Sequence, residues 1–343
     1  MAAVRKSSKR KTPSMYDVGR VAGVSQTTVS FIVNNVPNVN IPQETRDRVW
    51  AAVEELGWRP NAMARGLSLQ RSHTIGLISD EIVTSSHAGK IIQGAQDAAW
   101  AYTKMLLVIN TASNPDIERV AVEMMLERQV EGLIYATMYH RSVTLPAALR
   151  QVPTVLLDCY VEDRSLPSVV PDEVQGGRTA TQALLQKGHR RIGFINNVDP
   201  IPATFGRLEG YKQALASYGV PFDPSLVCGG RIAAEEGYRC AVELMQFPER
   251  PTALFCFNDT MAMGAYDAIK QLGLSIPYDV AIVGFDNLEV IAAHLRPKLT
   301  TIELPHYAMG QWAVQYLFDH ADVSYLDPIQ QTIACPLIER ASI

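Results

Sequence analysis

Asp158 follows the apolar run Val155-Leu156-Leu157, and Asp286 follows Val283-Gly284-Phe285. Asn258 follows Leu254-Phe255-Cys256-Phe257, and Asp80 comes shortly after Thr74-Ile75-Gly76-Leu77-Ile78. Arg207 opens the stretch Arg207-Leu208-Glu209-Gly210-Tyr211. Such runs read as strands, and strand ends are where open α/β sheets hold ligands. Carboxylate, amide and guanidinium groups make paired hydrogen bonds to vicinal hydroxyls. Two carboxylates in one cleft repel an anion, which favours a neutral sugar. Arg207 argues the other way, toward a purine or a sugar phosphate. Each acid could also be an ordinary loop residue or helix cap.

A second polar set lies near the N-terminus. On a helical wheel Gln26, Thr27, Ser30 and Asn34 fall within about 100° of one another. They are short hydrogen-bonding groups without negative charge. The other side carries Val29, Ile32 and Val33, interrupted by Thr28. Solvated helix faces are commonly rich in Glu and Lys, and this one has neither. Such a face suits a major groove, where these groups reach base edges and phosphates. Phe31 either touches a thymine methyl or rolls back into a small core.

The elements that would carry these groups are legible. Residues 17–22 read as a short helix stopped by Gly23, and Ser25 is a good N-cap for a second helix over 26–34. Two short helices around a Gly-containing turn form a helix-turn-helix. Val49, Val53 and Leu56 make the apolar stripe of a third helix over 43–56, ended by Gly57. Residues 62–69 could form about two helical turns, too few to be stable alone in water. By composition that stretch reads as a plain linker, and residues 1–13 read as a basic, disordered tail.

Charge separates this head from the rest. Residues 1–71 hold 11 Lys/Arg against 5 Asp/Glu, whereas 72–343 hold 20 against 30. A basic head on an acidic body is expected of a nucleic-acid module joined to a sensor or enzyme. In the body, apolar runs at 74–78, 105–109, 132–135, 155–157 and 168–170 alternate with helical patterns at 88–102 and 116–128. The series restarts with runs at 191–195, 253–257 and 280–283 and helices at 206–218 and 261–272. Alternation of this kind indicates parallel βαβ units. The expected fold class is therefore α/β: two doubly wound parallel sheets in tandem, with a cleft between them, behind a helix-turn-helix head.

The motifs closely resemble those of the lac repressor (LacI/GalR) family of bacterial transcription regulators. Tyr16-Asp17-Val18, Ala22-Gly23-Val24-Ser25, Thr28-Val29-Ser30 and Asn34 match the family head. So do Thr45-Arg46, Val49, Leu56-Gly57-Trp58, Pro60-Asn61 and Ala64-Arg65-Gly66-Leu67. The resemblance covers about residues 14–340. It implies that Gln26, Thr27 and Phe31 read bases. It implies that Ser14, Tyr16, Ser25, Thr28, Ser30 and Asn34 hold the backbone or base edges. Asn61 to Leu67 is similar to the hinge helix, with Leu67 wedged into the minor groove. The body is similar to the periplasmic sugar-binding fold. That implies an N-lobe of about 72–170 plus 298–331 and a C-lobe of about 171–297 plus 332–343. Asp158, Arg207, Asn258 and Asp286 match effector-binding positions. Two departures stand out. Many relatives have Arg at the Phe31 position, and Ile41 stands where a helix cap such as Ser is common. Asp80-Glu81-Ile82 and Ser85-Ser86-His87 replace an Asn-Pro-aromatic run that lines the pocket in many relatives. Tyr135, Met138 or Tyr139 could close it instead.

Other chemistry finds little support. There is no G-x-S-x-G and no H-E-x-x-H, and the seven His are scattered. Gly89-Lys90 lacks the rest of a phosphate loop. Asn258-Asp259-Thr260 fits a glycosylation sequon by chance. The five Cys form no C-x-x-C pair, so buried reduced thiols are expected, with neither a disulfide framework nor a zinc site. No apolar run approaches a membrane span and no signal-peptide core follows the basic N-terminus. The expectation is a cytoplasmic, non-enzymatic, ligand-responsive regulator without cofactor or metal. It would be a homodimer on a near-palindromic double-stranded operator, repressing carbohydrate uptake or catabolism genes until a small neutral sugar releases it. A purine- or sugar-phosphate-responsive regulator, a solute-binding protein and an enzyme on a doubly wound sheet are the alternatives, and activation instead of repression stays open.

Overall fold

Ser14 starts the first helix by capping it. Its hydroxyl accepts from the Asp17 amide at 3.3 Å, and the Asp17 carboxylate accepts from the Ser14 amide at 3.0 Å. This reciprocal pair satisfies two free donors at the start of α1, Met15–Ala22. Gly23 ends α1 with φ +68°, a conformation that favours glycine. Ser25 caps α2, Gln26–Val33, through the Thr28 amide at 3.1 Å. Pro42 precedes α3, Gln43–Leu56, without a side-chain cap. Val18, Ala22, Val29, Ile32, Val49, Ala52 and Trp58 close the core of these three helices.

The computed structural model describes residues 13–59, 72–81, 88–320 and 328–343. The chain divides into two compact units, 1–72 and 73–343. The expected tail and hinge segments, with Asn61 and Leu67, lie outside the described residues.

The second unit contains two six-stranded sheets. The first has the order β11-β5-β4-β3-β1-β2, from Gln330–Ile333, Ser168–Pro171, Thr154–Tyr160, Gly132–Ser142, Thr74–Ser79 and Met105–Asn110. The second has the order β12-β10-β9-β8-β6-β7, from Leu337–Ile338, Thr300–Glu303, Ala281–Asp286, Ala253–Cys256, Ile192–Asn197 and Val227–Gly230. All pairings are parallel except β10 with β12. Parallel sheets bury both faces, which is why their strands read as unbroken apolar runs. Ile75 and Leu77 face one apolar cluster of the first sheet and Ile78 the other.

The chain crosses between sheets three times: after Pro171, after Glu303 and between Ile333 and Leu337. This corrects the expected lobes. Thr300–Glu303 pairs with β9, so 298–303 belongs to the second lobe rather than the first. Thr332 and Ile333 pair with Val170 and Pro171 and stay in the first lobe. Sequence could not separate these because a four-residue strand has no periodicity of its own. The thiols need correction too. Cys228 on β7 and Cys240 on the helix Ala234–Met245 form a disulfide, with Cα atoms 5.6 Å apart. The strand and the helix pack together, so a 12-residue separation becomes contact. Cys159, Cys256 and Cys335 are free and buried.

One close approach positions the ligand cavity. A Cβ on Gly177 would lie 2.4 Å from the Arg207 carbonyl oxygen, and one on Gly210 would lie 2.1 Å from that of Val174. The helices Glu173–Gln186 and Pro202–Ser217 therefore touch backbone to backbone. That contact brings the start of the first beside Arg207 on the second.

Candidate nucleic-acid interface and ligand cavity

In the head, Gln26 and Thr27 are exposed, while Val29, Ile32 and Val33 are buried. The polar face of α2 is thus presented outward. Ser30 and Asn34 bond to each other at 3.2 Å, and Ser25 and Thr28 hydroxyls at 2.9 Å. These four are partly used in holding the helix, yet a hydroxyl keeps further hydrogen-bonding capacity. Tyr16 is 67% exposed. Phe31 is half-buried and is not a member of the head's apolar core. Its aromatic ring therefore stays beside the polar face.

In the second unit, a cavity of about 150 Å³ opens at the C-terminal ends of the strands. Asp158, Arg207, Asn258 and Asp286 all line it. Asp80 does not, which corrects that expectation. Its carboxylate accepts from the Met138 amide at 2.9 Å and from Arg141 at 2.9 Å. It organises the segment that forms the wall. The β3–β4 register shifts between Ala136 and Arg141, and Met138, Tyr139 and His140 from this irregular stretch line the cavity. Tyr135 lies under the sheet instead, bonded to Glu118 at 3.0 Å.

Arg207 is only 3% exposed. Its Nε and Nη2 donate to Glu173 at 2.7 and 3.3 Å, and Nη1 donates to the Phe257 carbonyl at 2.5 Å. Asp286 lies 3.7 Å away. The guanidinium sits 3.6 Å and 4.3 Å from the ring centroids of Phe285 and Phe257. Burial works against its charge, but Glu173 and then Asp286 outweigh this and raise its pKa. Glu173 was invisible in sequence, because nothing local links it to a residue 34 positions on.

Asp286 has φ +100° and Asp158 φ +59°. Left-handed backbone in non-glycine residues gathers at functional sites. Asp259 lies beneath the cavity rather than in it. It accepts from Thr301 Oγ1 and from the Leu288 amide, both at 2.6 Å, and so holds the turn after Asp286. Asn258 lines the cavity while its Oδ1 caps the helix Asp259–Gln271 at the Met261 amide, 2.9 Å away. Both readings of Asn258, cap and ligand contact, are compatible.

Burial first, and then Glu173, hold the Asp158 carboxyl well above the usual carboxylate range. A group raised on folding contributes stability that is full below its unfolded pKa and is lost as pH rises through the folded value. Asp158→Asn should therefore raise the melting temperature of the ligand-free protein at neutral pH. The difference from wild type should vanish below about pH 4, the ordinary Asp range. Thermal denaturation across that range measures both; a lower melting temperature at neutral pH would refute the argument.

An outward polar helix on a three-helix head, joined to a two-sheet body with a ligand cavity, defines a ligand-responsive DNA-binding regulator. Residues 14–61 match "Bacterial regulatory proteins, lacI family", and residues 72–339 match "Periplasmic binding proteins and sugar binding domain of LacI family". The chain belongs to the LacI family of transcriptional regulators. It is 33% identical over 316 residues to catabolite control protein A from Priestia megaterium, covering 92% of this chain and 94% of that one. It is 33% identical over 333 residues to the transcriptional repressor PurR from Escherichia coli, covering 95% and 96%. The lac repressor dimer bound to operator and an anti-inducer superposes with TM-score 0.79 at 27% identity, covering 97% and 99%. The regulator CelR in complex with cellobiose superposes with TM-score 0.66 at 27% identity, covering 96% and 99%. These relatives are regulators rather than enzymes. Among the described residues, no helix is long and apolar enough to cross a membrane.

Proposed function

We propose that the effector is a small neutral sugar, and that the chain represses genes of carbohydrate uptake or catabolism in the cytoplasm. The cavity's charge carries this reading: Glu173 and Asp286 face one guanidinium that Glu173 already engages. An anionic ligand would meet excess negative charge with no free cation among the described lining residues. The phosphate alternative rested on Arg207, which Glu173 and the Phe257 carbonyl already engage. The family's sugar-binding description and the cellobiose complex of CelR agree with a carbohydrate.

Gln26, Thr27 and Phe31 are assigned to base reading. Ser14, Tyr16, Ser25, Thr28, Ser30 and Asn34 are assigned to backbone and base-edge contacts. Asn61 and Leu67 are assigned to a hinge helix in the minor groove. Leu67→Ala should weaken operator binding by about tenfold or more, since a lost wedge forfeits the kink and the contacts it permits. Binding to random DNA should barely change. Equal losses on both DNAs, read by fluorescence anisotropy, would remove Leu67 from the groove.

Two chains are assigned to one operator. The surface for pairing lies around the edge strand β2 and its flanking helices Ala88–Ala101 and Pro115–Glu127. Trp100, Met105, Ile117, Val120 and Met124 are exposed there, between 42% and 68%. Ile117, Val120 and Met124 form an i, i+3, i+7 stripe, the pattern of a helix face awaiting a partner. The lac repressor, a structural relative, is a dimer on its operator. Sugar binding shifts the balance of two lobe arrangements, changing the separation of the two hinges. Couplings of this type are about 1–3 kcal/mol, or 5–150-fold in affinity. A gel shift on the gene's own upstream DNA tests the whole reading. A neutral sugar should change the DNA affinity; a phosphorylated sugar acting alone would overturn the effector assignment.

A further inference from the structure

Two polar atoms of the first lobe's cavity wall have no hydrogen-bond partner although solvent does not reach them: Asp158 Oδ1 and His140 Nδ1. Asp158 is 95% buried, being 5% exposed. A buried polar atom without a partner is destabilising. Native structures tolerate few, and those that persist need an explanation. Both residues line the same cavity. The Thr137 hydroxyl donates to the Tyr139 carbonyl at 2.8 Å and to the Asp158 carbonyl at 3.0 Å, tying the end of β3 to the end of β4. Asp80 clamps the same stretch from behind through Met138 and Arg141. The His140 ring packs edge-on against Tyr160, with centroids 5.5 Å apart. The wall is thus preorganised around two unmet hydrogen-bonding groups.

From this we infer that His140 and Asp158 together take ligand hydroxyls, and that His140 is a specificity-determining residue of the cavity, presented by the bulge that Asp80 positions. The inference rests on the carbohydrate reading and deepens it. A hydroxyl both donates and accepts, so it can satisfy a carboxyl oxygen and an imidazole nitrogen in either tautomer. Burial keeps the imidazole from charging by lowering its pKa, so it meets the ligand as a neutral group. A site built to bond a hydroxyl discriminates strongly against ligands that lack it, because its own polar atoms are then left buried and unpaired. Asp80, which the sequence placed in the cavity, acts instead as the positioning residue for His140.

Isothermal titration calorimetry on the full chain tests this with D-glucose, D-galactose, D-ribose, cellobiose and D-glucose 6-phosphate as probes. At least one neutral probe should bind wild type, and the phosphate should not. For the bound probe, His140→Phe keeps the ring and removes both nitrogens. It should weaken binding by about 10- to 100-fold, the effect of losing a buried hydrogen bond. His140→Asn restores a polar group near the position of Nδ1 and should recover most of that loss. Asp80→Ala should reduce affinity like His140→Phe while Asp80→Asn, which keeps an acceptor for Met138, falls between. Operator affinity measured alongside reports on folding. If His140→Phe fails to fold, the His140→Asn variant decides: a changed order of preference among the probes supports the inference and an unchanged order overturns it. Unchanged binding by a folded His140→Phe overturns it while leaving the carbohydrate reading intact. If no neutral probe binds wild type, the carbohydrate reading fails and this inference with it.

Discussion

Arg207→Ala should lower the stability of the body by about 3–5 kcal/mol, the usual cost of stripping one partner from a buried ion pair. Glu173, 7% exposed, would be left charged and unpaired against the cavity floor. The Phe257 carbonyl would lose its donor, and Phe257 and Phe285 would lose the guanidinium between them. Chemical denaturation monitored on the body should show the drop, while the head keeps its helical content because it has its own core. The ligand response should disappear with it. A double variant, Arg207→Met with Glu173→Leu, separates the two losses. Replacing a whole buried pair by apolar side chains of similar volume is often neutral or stabilising. Stability should therefore return while the ligand response does not. An Arg207→Ala protein of wild-type stability would show that the pair contributes nothing to the fold.

Ile117→Asp combined with Val120→Asp should produce monomers and weaken operator binding by about 100-fold or more. Neither side chain is part of an apolar core cluster, so the fold should survive. If the face assigned to pairing packs against its own copy, two charges there are left without water or partner, which an interface cannot tolerate. Once the chains separate, each head must find its half of the operator independently. Linked binding gains typically 10²–10⁴ in avidity, and that gain is what the variant forfeits. Binding to an isolated half-site should be unchanged. Analytical ultracentrifugation and anisotropy on full and half operators read both effects. A variant that stays dimeric would move the pairing surface elsewhere.

The head was largely legible from sequence because its signals are local. Ser25, Gly23 and Gly57 act within one turn of themselves, and the apolar stripe of α2 returns every three or four residues. The tandem alternation in the body was equally readable, since a strand buried on both faces is an apolar run whatever its neighbours are. Short or polar elements were not. Thr300–Glu303 finds its sheet only through pairing with β9, and the Met138–Arg141 stretch extends β3 well past the apolar run that announced it.

Strand-end position together with the family resemblance placed Asp158, Asn258 and Asp286, with Arg207 on the helix Pro202–Ser217, on one cavity, because a parallel sheet delivers its C-terminal ends to one rim; Asp80, after another strand, is engaged elsewhere. What each group does there depended on partners far away in the chain. The roles of Glu173, Asp80 and His140 arise from helix contact, a carboxylate clamp and a bulge, each joining residues 34 or more positions apart or a strand irregularity. Local sequence determines which groups are available and on what kind of element they ride. Hydrogen bonds and ion pairs act over a few ångströms of space, so only the folded chain decides which of those groups are already engaged and which still face a ligand.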